Sequence, residues 1–439
     1  MIDLESFTNI FPRSLSRKLR ESVIPIDGQI IRQEIAQNLH EEITNFVYHP
    51  LTPHDYIIIN KGKQVARITP TFHPKDYFLY YFCTKIIEDE IAENRVEGTY
   101  GGWRLGNKIQ LREDNDDIEI VESAPNNSFN PYLWVEHWQD FQRKAYQFNN
   151  EEEYTWVVKL DVANFYDNIN IELLGKKLYL ACPSSKMSYV ELLLHFLHNW
   201  NKKFEGYANK SIGLPQDEIG DSSRLLANFY LQDYDLEIKS KSDELGAQYL
   251  RYADDMLFYC RTKSDAEKLV FEASKMLSKI GLNINASKVE YFDNPQRFNE
   301  YWAFEIFELL GDSENEEGIN RGVQNFLDLK RQGISFKEFS VLRKILNVNL
   351  NLLNAELRYS ILAFLFNEEF VSQMTNWAMS KIYRQLDDNE KQRFLNILND
   401  LIESCNFNSF HYNLRVFYRK NKIEFDNDRI EQRISELKI

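Results

Sequence analysis

The chain has 439 residues, of which 43% are hydrophobic and 14% aromatic, so it is not a mainly disordered protein and has enough core for two or three subdomains. Its formal net charge of −15 argues against a surface coated with positive charge, the usual footprint of non-specific nucleic-acid binding, although local basic grooves remain compatible with it. The four cysteines are far apart and lack metal-ligand spacing, which is typical of a reducing compartment. No signal-peptide pattern and no apolar run of the ~20 residues that cross a bilayer is present, so we expect a cytoplasmic protein without a membrane partner.

The first 150 residues predict mainly helices. Residues 1–50 carry apolar side chains at three-to-four spacing and predict an N-terminal helical segment. A long amphipathic helix is predicted over 73–94, and another, rich in Trp and Phe, over 132–148. Residues 106–130 are polar, acidic and rich in Asn, which indicates a loop or insertion.

A hairpin is predicted over residues 56–69, where an apolar strand, a Gly-bearing turn and a return strand follow one another. Its turn and return strand carry Lys63 and Arg67. Basic side chains on such a hairpin can bind phosphate oxygens, and ordinary solvated charges are the alternative interpretation.

A buried strand is predicted over 154–161, ending on Asp161 and leading through a turn into the next helix. An Asp in this place can serve as a helix N-cap, which is the structural alternative to a functional role. Residues 172–200 predict two helices, 212–216 a turn and 222–236 a further helix.

Two β-rich runs flank Ala253-Asp254-Asp255 and predict a hairpin with adjacent carboxylates at its tip. Two acids at a tight turn repel each other, and a divalent cation that prefers oxygen ligands, such as Mg²⁺, would relieve that repulsion. For the dipeptide alone, an exposed turn is the simpler interpretation. A helix over 265–280, short strands at 282–285 and 288–292, and helices from about 320 onward complete the predicted elements.

Four segments in this order resemble the palm motifs of reverse transcriptases. Residues 161–169 resemble motif A, 213–231 motif B, 252–255 motif C and 281–288 motif D. The resemblance implies an α+β right-hand polymerase, with a reverse-transcriptase fingers–palm core and an all-α, thumb-like C-terminal extension. The expected domains are an N-terminal helical segment (1–50), fingers with an acidic insertion (51–150), a palm (151–300, with about 172–211 partly fingers) and a helical thumb or C-terminal domain (301–439).

The resemblance also implies nucleotidyl transfer with two Mg²⁺ ions, which such sites hold about 3.5–4 Å apart. It assigns Asp161 and Asp254 as the principal metal ligands, with Asp255 close by and the main-chain oxygen of Val162 as a further ligand. Lys288 resembles the motif D lysine that protonates the pyrophosphate leaving group.

Four further residues are assigned to the nucleotide substrate by the same resemblance. Tyr166 is at the position of the aromatic gate that collides with a ribose 2′-hydroxyl and thereby favours deoxynucleotides; a core aromatic is the alternative. Gln216 resembles the motif B glutamine that contacts the incoming nucleotide and the template. Arg67, with Lys63 in support, matches the fingers hairpin that clamps the triphosphate.

The sequence departs from the family pattern in two places. Asp217 stands where most families have glycine after Gly-Leu-Pro-Gln, and Glu218 follows it, so two acids beside a template channel would repel a phosphate backbone. Residues 298–304 do not match the expected primer-grip motif. Ribonuclease H, endonuclease and integrase motifs are not recognisable.

These features together resemble the bacterial defence-associated reverse transcriptases of the unknown-group and abortive-infection types, relatives of retron and group II intron enzymes. The implied function is RNA-directed DNA synthesis: dNTPs are joined into a DNA product on a dedicated, structured noncoding RNA template, in anti-phage defence. One alternative is template-independent, protein-primed DNA synthesis of the abortive-infection type. A second is a catalytically silent palm that serves as an RNA-binding scaffold.

Overall fold

The computed structural model describes residues 4–11, 19, 31–93, 95–102, 104–105, 108–114, 117–124, 133–201, 213–216 and 221–438. The chain divides into two compact units. The first consists of Met1–His54 and Pro70–Pro295, and the second of Asp55–Thr69 and Gln296–Ile439. Residues 55–69 therefore group with the C-terminal helices, whereas the sequence placed them in the fingers. No helix in the described ranges has the length and apolar character needed to span a bilayer.

Most of the described secondary structure is helical, with a smaller strand content. The strands are β1 Asp55–Asn60, β2 Ala66–Thr71, β3 Thr99–Tyr100, β4 Lys108–Asp114, β5 Asp117–Ala124, β6 Trp156–Asp161, β7 Gln248–Tyr252, β8 Asp255–Cys260 and β9 Glu290–Phe292. The helices are α1 Leu4–Ile10, α2 Arg32–Thr44, α3 Pro74–Ile86, α4 Glu88–Ala92, α5 Leu133–Asn149, α6 Phe165–Asn168, α7 Ile171–Ala181, α8 Met187–Asn199, α9 Asp221–Tyr230, α10 Gln232–Glu244, α11 Lys263–Lys279, α12 Pro295–Trp302, α13 Phe304–Leu309, α14 Glu316–Arg331, α15 Glu338–Ile345, α16 Ala355–Leu365, α17 Glu368–Val371, α18 Asn376–Tyr383, α19 Asp388–Ser404, α20 Asn408–Asn421 and α21 Asn427–Glu436.

A mixed sheet forms the centre of the first unit, with described strand order β3-β7-β8-β6-β9. The neighbours from β7 to β9 are antiparallel, and β3 is parallel to β7. In β6 every residue after Trp156 is buried. A strand that is covered on both faces has an almost continuous apolar sequence, which explains the Val157-Val158 run and the apolar sequence of β8.

Helices cover both faces of this sheet, because successive side chains of a strand point to opposite sides. On one face, the Tyr259 hydroxyl donates a 2.9 Å hydrogen bond to the carbonyl of Ala145 in α5. On the other face, the Tyr234 hydroxyl of α10 lies 3.2 Å from Met256 Sδ. The sheet is therefore the middle layer of the unit, between α5 and α10.

The predicted strand at 154–161 corresponds to β6, and the predicted hairpin at 248–260 to β7 and β8. The expectation of a loop within 106–130 is wrong, because β4 and β5 pair as an antiparallel two-stranded sheet. Ile118 and Ile120 alternate with an acidic residue, which is a pattern typical of a strand. This pattern was the better predictor of the structure, and the acidic composition of the segment was misleading.

Three other predicted elements have different limits in the structure. The helix expected over 73–94 is divided into α3 and α4. The helix expected over 222–236 is divided at Leu231 and continues to Glu244. The strand expected at 282–285 is reduced to an isolated bridge between Ile284 and Val162.

The second unit joins the β1–β2 hairpin to the C-terminal helices. The buried Asn408 side chain, in α20, accepts a hydrogen bond of 2.7 Å from the Ile58 amide and donates one of 2.8 Å to the Tyr56 carbonyl. One amide side chain thus satisfies a donor and an acceptor on β1 as a neighbouring strand would. At the turn, the Lys63 amide donates to Glu369 Oε1 at 2.7 Å.

Candidate active site

The ends of β6 and β8 bring two of the predicted carboxylates together. Asp161, the last residue of β6, is paired directly with Asp255, the first residue of β8. Residues paired in this way lie on the same face of an antiparallel sheet, with Cβ atoms about 4.5–5.5 Å apart. Asp254 lies in the two-residue link before β8, so acids from three positions lie at one edge of the sheet.

Asp161 itself is a strand residue and does not cap a helix. The N-cap of α6 is Asn164, whose backbone is left-handed and whose side chain makes no capping hydrogen bond. Asn285 makes two hydrogen bonds to Asp161. Its main-chain amide donates to the Asp161 carbonyl at 2.8 Å, and its side-chain amide donates to Asp161 Oδ2 at 3.4 Å. Val162, whose carbonyl was the predicted further metal ligand, comes directly after Asp161 in the chain. It is buried and forms an isolated β-bridge with Ile284.

Lys288 lies beside this carboxylate. It ends a 3₁₀ turn, Ala286–Lys288, and its Nζ is 2.8 Å from Asp161 Oδ2. The sequence predicted that Lys288 lies on a strand, but in the structure strand β9 begins only at Glu290. Because the Lys288 side chain is more than half exposed, this ion pair contributes little to stability, and Lys288 retains access to solvent.

The carboxylates repel one another. Burial, followed by the negative charges of Asp255 and Asp161, raises the pKa of Asp254 to about 6. A nearby cation favours the ionised form and reverses such a shift. Carboxylate oxygens converging from two strands are the donors that Mg²⁺ prefers, so the donor chemistry fits a hard divalent cation. As these side chains stand, however, no three acidic, His or Cys residues within the described ranges form a group that could hold a metal ion.

The β7–β8 link has an unfavourable backbone conformation. Ala253 has φ = 56°, in the left-handed region that residues with a Cβ rarely adopt. Its carbonyl accepts a 2.8 Å hydrogen bond from Arg251 Nη1. Such strained residues persist where surrounding contacts over-determine them, and Arg251 provides this contact.

Arg251 is fully buried, and its hydrogen bonds connect the β7–β8 link to two helices. Its guanidinium contacts Asp235 of α10 through Nη2–Oδ2 at 2.5 Å and Nε–Oδ1 at 2.8 Å. Nη1 also donates to Asn228 Oδ1 of α9 at 2.9 Å. Sequence reasoning missed this cluster. The available signal was a basic residue inside an apolar strand, since a buried Arg requires a buried acid.

The predicted motif B turn lies against the predicted motif A segment. The Leu214 amide donates to the Tyr166 carbonyl at 2.9 Å. A Cβ on Gly213 would lie 1.9 Å from that same oxygen, so only glycine allows this approach. The Tyr166 ring is half-buried, 5.2 Å from the Phe165 ring, and the half-buried Gln216 ends the described part of the turn.

Two pairs of predicted residues are not among the described residues of this site. Asp217 and Glu218, the departures in motif B, fall outside the described residues. Lys63 and Arg67 belong to the second unit, so their assignment to triphosphate binding stays a prediction.

Comparison with known families bears on the same part of the chain. Residues 114–306 match the family described as reverse transcriptase (RNA-dependent DNA polymerase). This chain contains a reverse transcriptase domain. The domain includes all three carboxylates, Lys288 and the Gly213–Gln216 turn.

Individual similar proteins cover parts of the chain. Over 105 residues it is 34% identical to the Retron Ec83 reverse transcriptase of Escherichia coli, and this match spans 24% of this chain and 31% of the relative. Apo telomerase from Candida tropicalis, truncated from the C-terminal domain, is 14% identical with a TM-score of 0.34, over 59% of this chain and 55% of that one. Telomerase from Candida albicans, in complex with a TWJ fragment of telomeric RNA, is 11% identical with a TM-score of 0.38, over 89% and 71%.

Arg251→Met should lower the free energy of unfolding by about 3–5 kcal/mol, because it leaves Asp235 buried without its cation. Denaturant unfolding of the purified protein measures this loss. Arg261→Met is the matched control: Arg261 follows β8 and forms an exposed pair with Glu153, so we expect little change in the free energy of unfolding.

A second variant separates stability from positioning. Replacing both partners, Arg251→Met with Asp235→Leu, should recover most of the lost stability, since no buried charge is left unpaired. The Ala253 carbonyl still loses its donor in this variant, so DNA synthesis should stay impaired. Full recovery of synthesis would show that the link needs no support from Arg251.

Proposed function

We propose that this protein is an RNA-directed DNA polymerase that copies a dedicated noncoding RNA into cDNA in antiviral defence. The observation that carries the polymerase proposal is the pairing of Asp161 with Asp255, with Asp254 beside them, inside a reverse transcriptase domain. The 34% identity with a retron reverse transcriptase supports the retron-like use of that activity.

Asp161, Asp254, Asp255 and the main-chain oxygen of Val162 are the proposed ligands of two Mg²⁺ ions. When bound, such ions activate the primer hydroxyl and neutralise the charge that develops on the triphosphate. Lys288 Nζ lies 2.8 Å from Asp161 Oδ2, and Lys288 is the proposed proton donor to the departing pyrophosphate.

Tyr166 and Gln216 are the proposed nucleotide contacts. The hydrogen bond from Leu214 to the Tyr166 carbonyl supports a shared role, since it fixes the two segments against each other. In this proposal, the Tyr166 ring excludes the ribose 2′-hydroxyl and Gln216 contacts the incoming nucleotide and template.

Asp254→Asn combined with Asp255→Asn should lower dNTP incorporation on an RNA template with a DNA primer by more than about 100-fold, because it removes two charged ligands. Asp243→Asn, which changes an exposed acid of α10, is the control and should retain normal synthesis. If the double variant made DNA at the normal rate, the catalytic assignment would fail. If neither the normal protein nor the variant made DNA while both bound RNA, the scaffold alternative would be favoured.

Tyr166→Ala should raise ribonucleotide use relative to deoxynucleotide use by about 10–100-fold, since a steric block to one hydroxyl is removed. Ratios of kcat/KM for a matched rNTP and dNTP measure this. The exposed Tyr359→Ala variant is the control and should leave the ratio unchanged. An unchanged ratio in Tyr166→Ala would assign Tyr166 to core packing.

The template is tested by sequencing the RNA and DNA that co-purify with the protein from infected and uninfected cells. One abundant RNA whose sequence is complementary to the recovered DNA is the expected result. DNA joined covalently to the protein, with a sequence unrelated to any bound RNA, would instead favour protein-primed synthesis.

A further inference from the structure

The second unit contains a groove that the polymerase chemistry does not use. It has a volume of about 610 Å³. Its lining residues come from the segment between α13 and α14, the segment after α15, α18 with the two residues that follow it, and the end of α20. All of its lining residues belong to the C-terminal part of the chain, so it is separate from the carboxylates of the first unit.

The groove is basic although the chain carries a net charge of −15. Lys381, Arg384 and Lys420 line it together with one acid, Glu314, so the cations are in excess. Glu314 accepts a hydrogen bond from the Asn349 side chain at 3.2 Å, and none of the three cations forms an ion pair within the described residues. Lys381 Nζ donates to the side-chain oxygen of Asn347 at 3.1 Å, and Lys420 Nζ to that of Asn376 at 3.1 Å. Amide oxygens orient these ammonium groups but leave their charge unneutralised.

Partial burial makes this excess charge unfavourable. Burial lowers the pKa of Lys381, and burial together with repulsion from Lys381 lowers the pKa of Lys344 in α15. A bound anion would favour the charged forms and relieve both effects. Binding of a negatively charged phosphate group in the groove would therefore be electrostatically favourable.

Trp377 adds an aromatic surface to the same groove. Its side chain is 57% exposed, which is unusual for so large an apolar ring. Lys381 Nζ lies 5.0 Å from the ring centroid, so the ring and a cation are presented together. Open aromatic rings beside basic side chains are the arrangement that binds single-stranded nucleic acids, with bases on the rings and phosphates on the cations.

We propose that this groove binds a single strand of nucleic acid, with a base stacked on Trp377 and phosphates at Lys381, Arg384 and Lys420. Several cations along an open groove fit a chain of phosphates better than one phosphate. The exposed ring distinguishes this ligand from an acidic peptide. The proposal does not depend on the polymerase activity, because binding is measured without dNTPs.

The test measures binding of a labelled oligouridine of about 20 nucleotides to the full-length protein by fluorescence anisotropy. Lys381→Gln with Arg384→Gln should weaken binding by about tenfold or more and reduce the salt slope by about 1.4, the value for two lost phosphate contacts on a single strand. Lys268→Gln with Arg321→Gln is the control: these side chains are 60% and 62% exposed, lie outside the groove, and change the net charge equally.

Trp377→Ala should weaken binding about 5- to 100-fold without changing the salt slope, and Trp377→Phe should restore part of the loss. Crosslinking of a 4-thiouridine oligomer, mapped by mass spectrometry, should mark peptides of the groove as well as any bound at the polymerase site. All variants are at exposed or half-exposed positions, and unfolding curves check that they remain folded.

Two results would overturn the proposal. One is that the groove variants bind the oligomer as tightly as the control, with no crosslink in the groove. The other is that uridine monophosphate competes as well as the oligomer, which would define a mononucleotide pocket. Loss of DNA synthesis in Asp254→Asn with Asp255→Asn, with groove binding intact, would leave this proposal standing independently.

Discussion

The site depends on holding mutually repelling carboxylates at one edge of a sheet. Asp161 and Asp255 are fixed by strand pairing, but Asp254 lies in a two-residue link whose preceding residue is left-handed. The buried Arg251 guanidinium connects the carbonyl of that link to Asp235 and so to α10. A desolvated, bidentate ion pair has little freedom to move, so it restrains the conformation of the link.

A second restraint acts through the backbone. Gly213 lies so close to the Tyr166 carbonyl that no side chain fits between them, and the neighbouring amide bonds to that oxygen. The Gly213–Gln216 turn, which is expected to contact the nucleotide, is thus held in a fixed position against the segment that follows Asp161. Both restraints use buried or main-chain groups, whereas Lys288 remains exposed. The structure therefore combines a carboxylate edge held by buried and main-chain contacts with an ammonium group that is accessible to solvent.

The sequence predicted those parts whose local pattern carries the information. The apolar run of β6 and the hairpin at 248–260 were predictable because strand periodicity and turn residues are local signals. The partners of Arg251 were not, because Asp235 and Asn228 come from helices whose own patterns give no sign of them. The contacts of Asn408 were not predictable either. By sequence it is an ordinary helical residue, but its side chain forms hydrogen bonds with the backbone of β1, 350 residues earlier in the chain.

That long separation has a consequence for synthesis of the chain on the ribosome. At about 5–20 residues per second, 350 residues take roughly 20–70 s to translate. During this time the hairpin at 55–69 exists without the amide that satisfies its Ile58 and Tyr56 backbone groups. An unpaired strand edge is where nascent chains associate with one another. The hairpin of the second unit therefore lacks its Asn408 partner until α20 has been synthesised, and its strand edge is exposed to other chains for that time.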